Sequence, residues 1–230
     1  MENWGLCCIF APVSNNFYMS MNNIKRLPYG IADFEYVMRD NLYYVDKTMY
    51  IPILEEQPNY LMFIRPRRFG KSLLLSMLKT YYDKAKKDQF EEIFGSLWIG
   101  KHPTPLMGRY QVMHLDFSQI GGSIDELEKK FDEYLCYRLN AFVRKYADDY
   151  PEYFLKSFFE CNTYTGKLIL ITTTANELKI PMYLIIDEYD NFTNVVLSEK
   201  GEEVYHKMTH AEGFYRDVFK KFKGNFERIF

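Results

Sequence analysis

The chain has 230 residues, of which 47% are hydrophobic, and carries a formal net charge of −2. This length and apolar content predict one domain with a sizeable core and exclude an intrinsically disordered protein, while the near-neutral charge argues against binding nucleic acid through overall charge. The four cysteines form no CxxC pair and have no zinc-ligand spacing with the four histidines, which predicts a reduced, cytoplasmic protein. No apolar run is long enough to cross a bilayer, so no membrane partner is expected.

The first residues, 1–20, are expected to lie outside the fold, and the domain is expected to span 21–230. The apolar run Leu6–Val13 is short, has no basic flank and lacks a small-residue cleavage pattern, so it fits a secretory signal peptide poorly. Asn-rich sequence follows it, and translation is expected to begin at Met19 or Met21.

Two short helices are predicted before the first strand. One runs over 33–39 with its first residue as cap, and Asp46 or Thr48 is placed to cap a second helix around 50–54. Asp46 and Lys47 therefore indicate a capped, solvated helix start. A position beside a nucleotide is also open for them, because this segment leads into the next strand.

The following segment has the layout of a phosphate-binding P-loop. An apolar run, Tyr60–Ile64, predicts a strand, and apolar residues at helical spacing over 74–81 predict a helix. Gly70 lies between them, followed by Lys71, which is placed to reach the β- and γ-phosphates of ATP, and by Ser72, which is placed to ligate Mg²⁺. Helix N-terminal amides and the helix dipole also favour an anion there. The residues expected to contact ATP are Arg65, Arg67, Arg68, Phe69, Gly70, Lys71, Ser72 and Leu73.

The middle of the chain predicts a second strand and two further helices. The strand covers 111–117, a long amphipathic helix follows 121–123, and another helix covers about 166–178. His114 lies inside the strand and is expected to be a core residue. Asp116 lies near the carboxyl end of the strand, where it either faces a ligand crevice or caps the next turn.

A continuous apolar run at 182–186 predicts a parallel strand that is buried on both faces. It ends in Asp187 and Glu188, the arrangement of a Walker B motif with an adjacent catalytic carboxylate. Asp187, with Ser72, is predicted to hold Mg²⁺, and Glu188 is predicted to polarise the attacking water. Glu188 and Lys71 are therefore the predicted catalytic residues.

Several stretches together resemble the AAA-ATPase-like family, bacterial proteins that often carry a nuclease-like domain behind the ATPase. They are Leu27-Pro28-Tyr29-Gly30-Ile31 with Phe34, Tyr44-Val45-Asp46-Lys47-Thr48, Arg65-Pro66-Arg67-Arg68-Phe69-Gly70-Lys71-Ser72 and Ile186-Asp187-Glu188-Tyr189-Asp190. The resemblance implies that Arg65, where the general motif has Gly, is a family variation. It also implies an α/β P-loop NTPase fold of three layers with a mostly parallel central sheet. An additional strand would lie between the P-loop strand and the strand ending at Asp187.

Near the end of the chain, one or two helices are predicted over 198–221, and Phe226–Phe230 resembles the opening of that additional strand. The domain is therefore expected to be incomplete at its C-terminus, without a sensor residue, a lid or the nuclease-like domain. Unpaired strand groups in such a fragment predict marginal stability.

The leading hypothesis is an ATP-binding domain that hydrolyses ATP with Mg²⁺ in the intact protein, while turnover by this chain alone is not expected. One alternative is a nucleic-acid-binding module, suggested by Arg65, Arg67 and Arg68 and by the nuclease-like domain of relatives. Another is a nucleotide-sensing scaffold that binds without turnover. The sequence is also compatible with a homo-oligomer.

Overall fold

The computed structural model describes residues 25–64, 66, 69–120, 124–189 and 214–230, and helices lie on both sides of a small parallel sheet. The described helices are α1 (Phe34–Arg39), α2 (Ile51–Glu55), α3 (Lys71–Tyr82), α4 (Phe90–Phe94), α5 (Trp98–Lys101), α6 (Ile124–Lys145), α7 (Glu152–Glu160), α8 (Tyr164–Glu177) and α9 (Phe214–Phe222). Short 3₁₀ turns occupy Thr48–Tyr50, Lys84–Gln89, Phe117–Gln119 and Ala147–Asp149. The helices predicted near 33–39, after Ser72, after 121–123 and near 166–178 are confirmed within a few residues.

The sheet contains β1 (Gln111–Asp116), β2 (Met182–Asp187) and β3 (Arg228–Ile229) in the order β1-β2-β3, and both pairings are parallel. β1 and β2 are in register from their first residues to their last, so that Asp116 lies beside Asp187 at the same edge of the sheet. The strands predicted at 111–117 and 182–186 are therefore confirmed.

The strand predicted at Tyr60–Ile64 is reduced to a single parallel bridge between Tyr60 and Ile229. Leu61 N donates to Ile229 O at 2.9 Å, and Ile229 N donates to Asn59 O at 2.8 Å. β3 lies between β2 and the segment that leads into α3.

Alternate residues of the strands face two different apolar clusters, which makes three layers. Met113 and Leu184 belong to the cluster formed with α6, α7, α8 and α9, whereas Val112, Tyr183 and Ile185 belong to the cluster formed with α1 to α5. This alternation is the period-two pattern of a sheet covered on both faces. An α/β fold with a parallel sheet is thus the observed architecture.

The outer edge of β1 is covered by polar side chains of α6. Asp116 N donates to the Tyr134 hydroxyl at 2.6 Å, Arg138 donates to the carbonyl of His114, and Val112 N donates to the Tyr146 hydroxyl at 2.9 Å. Every second residue of β1 thereby finds a partner on its outer side. These contacts satisfy groups that an edge strand otherwise leaves unpaired.

The predicted extension at 1–20 and most of the helical region predicted at 198–221 lie outside the described residues, apart from α9. The two described cysteines, Cys136 and Cys161, are free thiols. None of the described helices combines the length and apolarity that a bilayer-crossing segment needs.

Candidate functional site

The amino end of α3 lies near the carboxyl ends of β1 and β2. Gly70 is the residue before the helix, and its φ of +73° is a left-handed conformation that glycine adopts without steric cost. No described side chain caps this end of α3. The first-turn amides of the helix therefore remain available to an anion.

Lys71 shares a cavity of about 260 Å³ with the acidic pair at the tip of β2, Asp187 and Glu188. The remaining wall is mainly apolar and includes Leu75 of α3 and Ile186 of β2. The structure therefore places Lys71, Asp187 and Glu188, which are far apart in sequence, on the wall of one cavity.

Ser72 lines a second cavity, of about 590 Å³, which also includes Asp187 and Glu188. Asp33 and Asp116 supply two more carboxylates to its wall. The two cavities thus adjoin at the acidic pair, with the first two residues of α3 divided between them. The described residues contain no cluster of three or more His, Cys, Asp or Glu side chains arranged for a metal ion.

The second residue of the acidic pair adopts an unusual backbone conformation. Asp187 is largely buried, and its Oδ1 accepts a hydrogen bond from the Glu188 amide at 3.0 Å. Glu188 has a φ of +51°, which is rare for a residue with a side chain. The chain therefore turns sharply at the end of β2, and Glu188 lines both cavities.

Asp116 mainly caps the turn that follows β1. Its Oδ1 accepts from Ser118 N at 3.0 Å and from Ser118 Oγ at 2.7 Å, and its Oδ2 accepts from Gln119 Nε2 at 3.2 Å. Of the two alternatives for Asp116, the capping role accounts for these bonds. The residue also lies on the wall of the 590 Å³ cavity, as a ligand-facing residue would.

Asp46 and Thr48 hold distant segments of the fold together. Asp46 accepts from Thr48 N at 2.8 Å and from Trp98 N at 2.7 Å, and Thr48 Oγ1 accepts from Ile99 N at 3.1 Å. Both side chains thus satisfy amides at the start of α5, and neither caps α2. Lys47 is exposed beside them. The structural interpretation of Asp46 therefore explains its contacts.

The structure describes some of the remaining predicted site residues and leaves others out. Phe69 is 62% exposed, and Leu73 packs against the cluster formed by α1 to α5. Four residues named from the sequence, Arg65, Arg67, Arg68 and Asp190, lie outside the described residues.

Lys79 is a site residue that the motifs do not reveal. It lines the 590 Å³ cavity together with Ser72 and Ser76 of the same helix. Their spacing of four and three residues puts them on one helix face, and this was the available signal. Sequence reasoning missed it because the phosphate-binding pattern ends at Ser72.

Comparisons with known proteins show the family to which the chain is similar. A family model described as Predicted AAA-ATPase matches residues 28–230. An uncharacterized protein in the vnfD 5' region of Azotobacter chroococcum mcd 1 is similar to the chain, with 49% identity over 111 residues. That match covers 45% of this chain and 20% of the relative, so the chain spans a small part of the relative's length. No solved structure shows a significant match to the chain.

Proposed function

This chain belongs to the Predicted AAA-ATPase family, and from that premise we propose that it binds ATP where α3 meets the tip of β2. The observation that carries the proposal is the position of Lys71 and Ser72. Both lie at the amino end of a helix, and each shares a cavity with Asp187 and Glu188. A cationic helix end close to an acidic strand end is typical of P-loop NTPases and supports this proposal.

The phosphates would be held by the loop and the first turn of α3. The uncapped amides of the helix and its dipole attract the anion, and the Lys71 amine binds the β- and γ-phosphates. Phe69, Gly70 and Leu73 would contribute backbone amides. Arg65, Arg67 and Arg68 would add positive charge along the loop.

The donor set suits Mg²⁺. The Ser72 hydroxyl and the Asp187 carboxylate are hard oxygen ligands on the wall of one cavity. Magnesium in nucleotide sites is usually held by one or two such groups together with phosphate oxygens, so a cage of protein ligands is not required. When bound, the ion would neutralise charge on the phosphates.

We assign the hydrolysis of ATP to Glu188. Its carboxylate would accept a proton from a water whose oxygen attacks the γ-phosphorus, while the bond between that phosphorus and the bridging oxygen of ADP breaks. The products are ADP and inorganic phosphate. Asp187 is less suited to this role because its Oδ1 already accepts the Glu188 amide.

The test measures binding of labelled ATP and GTP to the purified chain, with and without Mg²⁺. We expect saturable ATP binding that Mg²⁺ tightens. Lys71→Met should weaken it by about ten-fold or more, because a charge-assisted bond to phosphate is lost.

Lys129→Met is the matched control, since Lys129 lies on an exposed face of α6 and its side chain is 80% exposed. It should bind ATP like the unmodified chain. Equal ATP affinity in the Lys71→Met and Lys129→Met variants would overturn the proposal.

A further inference from the structure

A third cavity, of about 330 Å³, lies where α3 and α6 approach β1. Lys79 of α3, His114 of β1 and Arg138 of α6 contribute to its wall. This cleft has no role in the proposed binding of the nucleotide phosphates by Lys71.

Most of the other charges around the cleft neutralise one another. Lys86 forms an ion pair with Glu35 at 2.7 Å, and Lys145 forms an ion pair with Asp83. These four residues line the cleft and contribute no net charge. The unbalanced charge of the cleft therefore comes from other side chains.

Two cations on the wall have no acidic partner within the described part of the chain. Arg138 donates through Nε and Nη2 to the carbonyl of His114, a neutral acceptor. A guanidinium has five N–H donors, so others remain for a ligand. Lys79 has neither a hydrogen bond nor an ion pair to a described residue, and it is half-buried. The residues that line the cleft therefore carry two more positive than negative charges.

His114 adds a neutral group to the same wall. Its Nε2 is buried and has no hydrogen-bond partner among the described residues. Burial and then the charges of Lys79 and Arg138 lower the pKa of His114 to about 4, against the opposing charges of Asp187 and Asp116, so the ring is neutral at pH 7. A neutral imidazole adds no charge to the wall, so Lys79 and Arg138 supply the attraction for an anion.

Lys79 and His114 also line the 590 Å³ cavity that contains Ser72, Asp187 and Glu188. The cleft and the proposed nucleotide cavity therefore meet at these two side chains. Arg138 lies on the wall of the cleft and not on that of the nucleotide cavity, whereas the opposite holds for Asp187 and Glu188, so an anion between the two cavities meets a more positive potential on the side of the cleft. Electrostatics favours its movement toward the cleft.

We propose that the cleft formed by Lys79, His114 and Arg138 binds inorganic phosphate, and that it receives the phosphate released from ATP while ADP remains bound. The site itself stands on the charges of the cleft, whereas its role in product release rests on the proposed function. Its ligand is a small tetrahedral oxyanion, which can come from the reaction or from solution.

The experiment titrates inorganic phosphate into the nucleotide-free chain by calorimetry, and then into the chain saturated with MgADP. We expect saturable binding in both states. Lys79→Met should weaken phosphate binding by about ten-fold or more, because a charge-assisted bond is lost, and Lys79→Arg should restore it. Arg138→Gln should also weaken it, while its amide can still donate to the His114 carbonyl.

Lys71→Met separates the cleft from the nucleotide site. It should lose ATP affinity and keep phosphate affinity, whereas Lys129→Met should keep both. Failure of phosphate to bind a chain that binds ATP would overturn this inference and leave the proposed function standing. Phosphate binding that is insensitive to Lys79→Met, or that MgADP displaces, would also overturn it. Lys79-dependent phosphate binding without any ATP binding would support the anion site and overturn its role in product release.

Discussion

At the scale of single residues, the backbone of Glu188 is the feature that most distinguishes the candidate site. The described residues other than glycine with positive φ are Asn41, Lys179 and Glu188. Asn tolerates this region, and Lys179 terminates α8, where Ile180 N donates to Ala175 O at 2.8 Å. Glu188 terminates no helix. A left-handed residue at the tip of a strand is the kind of strain that persists at functional positions.

Replacing each strained residue by glycine separates stability from function. Glu188→Gly and Lys179→Gly should both raise the free energy of unfolding, by up to about 1 kcal/mol, because glycine adopts positive φ without a clash. In a form of the protein that hydrolyses ATP, Glu188→Gly should abolish hydrolysis and Lys179→Gly should leave it unchanged. Urea unfolding and phosphate release measure the two effects. Hydrolysis that survives Glu188→Gly would remove this carboxylate from the mechanism.

At the scale of secondary-structure elements, side chains of α6 form hydrogen bonds with the outer edge of β1, where no further strand of the named sheet pairs. The hydroxyls of Tyr134 and Tyr146 accept backbone amides of β1, and the Tyr146 hydroxyl also donates to Asp83 Oδ1 at 2.8 Å. Burial, followed by the charge of Asp83, raises the pKa of Tyr146, so its hydroxyl stays protonated. Tyr134, Arg138 and Tyr146 lie one and then about two helical turns apart, and they meet Asp116, His114 and Val112 in the reverse order along β1.

Removing the Tyr146 hydroxyl should show how much these hydrogen bonds contribute to the stability of the fold. Tyr146→Phe should lower the free energy of unfolding by about 1–3 kcal/mol, because the buried Val112 amide and the Asp83 carboxylate lose a partner. Tyr137→Phe is the control, since Tyr137 lies on the same helix and is 66% exposed. Its effect should stay within about 0.5 kcal/mol. Urea unfolding measures both, and equal values would show that α6 does not stabilise the edge through Tyr146.

At the scale of the whole molecule, β2 joins the two apolar clusters and also ends in the acidic pair. Leu184 faces one cluster and Ile185 faces the other, while the same strand continues into Asp187. The proposed nucleotide contacts lie on this strand and on α3, which packs on one of its faces. A ligand that bridges α3 and β2 should therefore stabilise the native state as a whole.

MgATP should raise the melting temperature of the chain. At a free concentration of about 100 times Kd, binding to the native state adds about 2.7 kcal/mol, which corresponds to roughly 5–10 °C for a chain of this size. Differential scanning fluorimetry measures the shift. Lys71→Met should melt like the unmodified chain without nucleotide and show little shift with it. A full shift in Lys71→Met would contradict nucleotide binding at the end of α3.

The sequence by itself determined the features that depend on neighbouring residues. Asp33 was predicted to cap α1, and its Oδ1 accepts from Tyr36 N at 3.1 Å. The periodicity after Ser72 predicted α3, and the apolar run before Asp187 predicted β2. Such signals are readable because caps and periodic faces repeat within one or two turns of chain.

Only the tertiary structure decided the contacts between segments that are far apart in sequence. The strand predicted at Tyr60–Ile64 forms one bridge only. Asp46 accepts a hydrogen bond from an amide at the start of α5 and does not cap α2. Lys79 lies on the wall of two cavities, and α6 covers the outer edge of β1. The physical reason is that a side chain's partners are fixed by how helices pack on the sheet. Local periodicity shows which face of an element is buried and leaves open what that face meets.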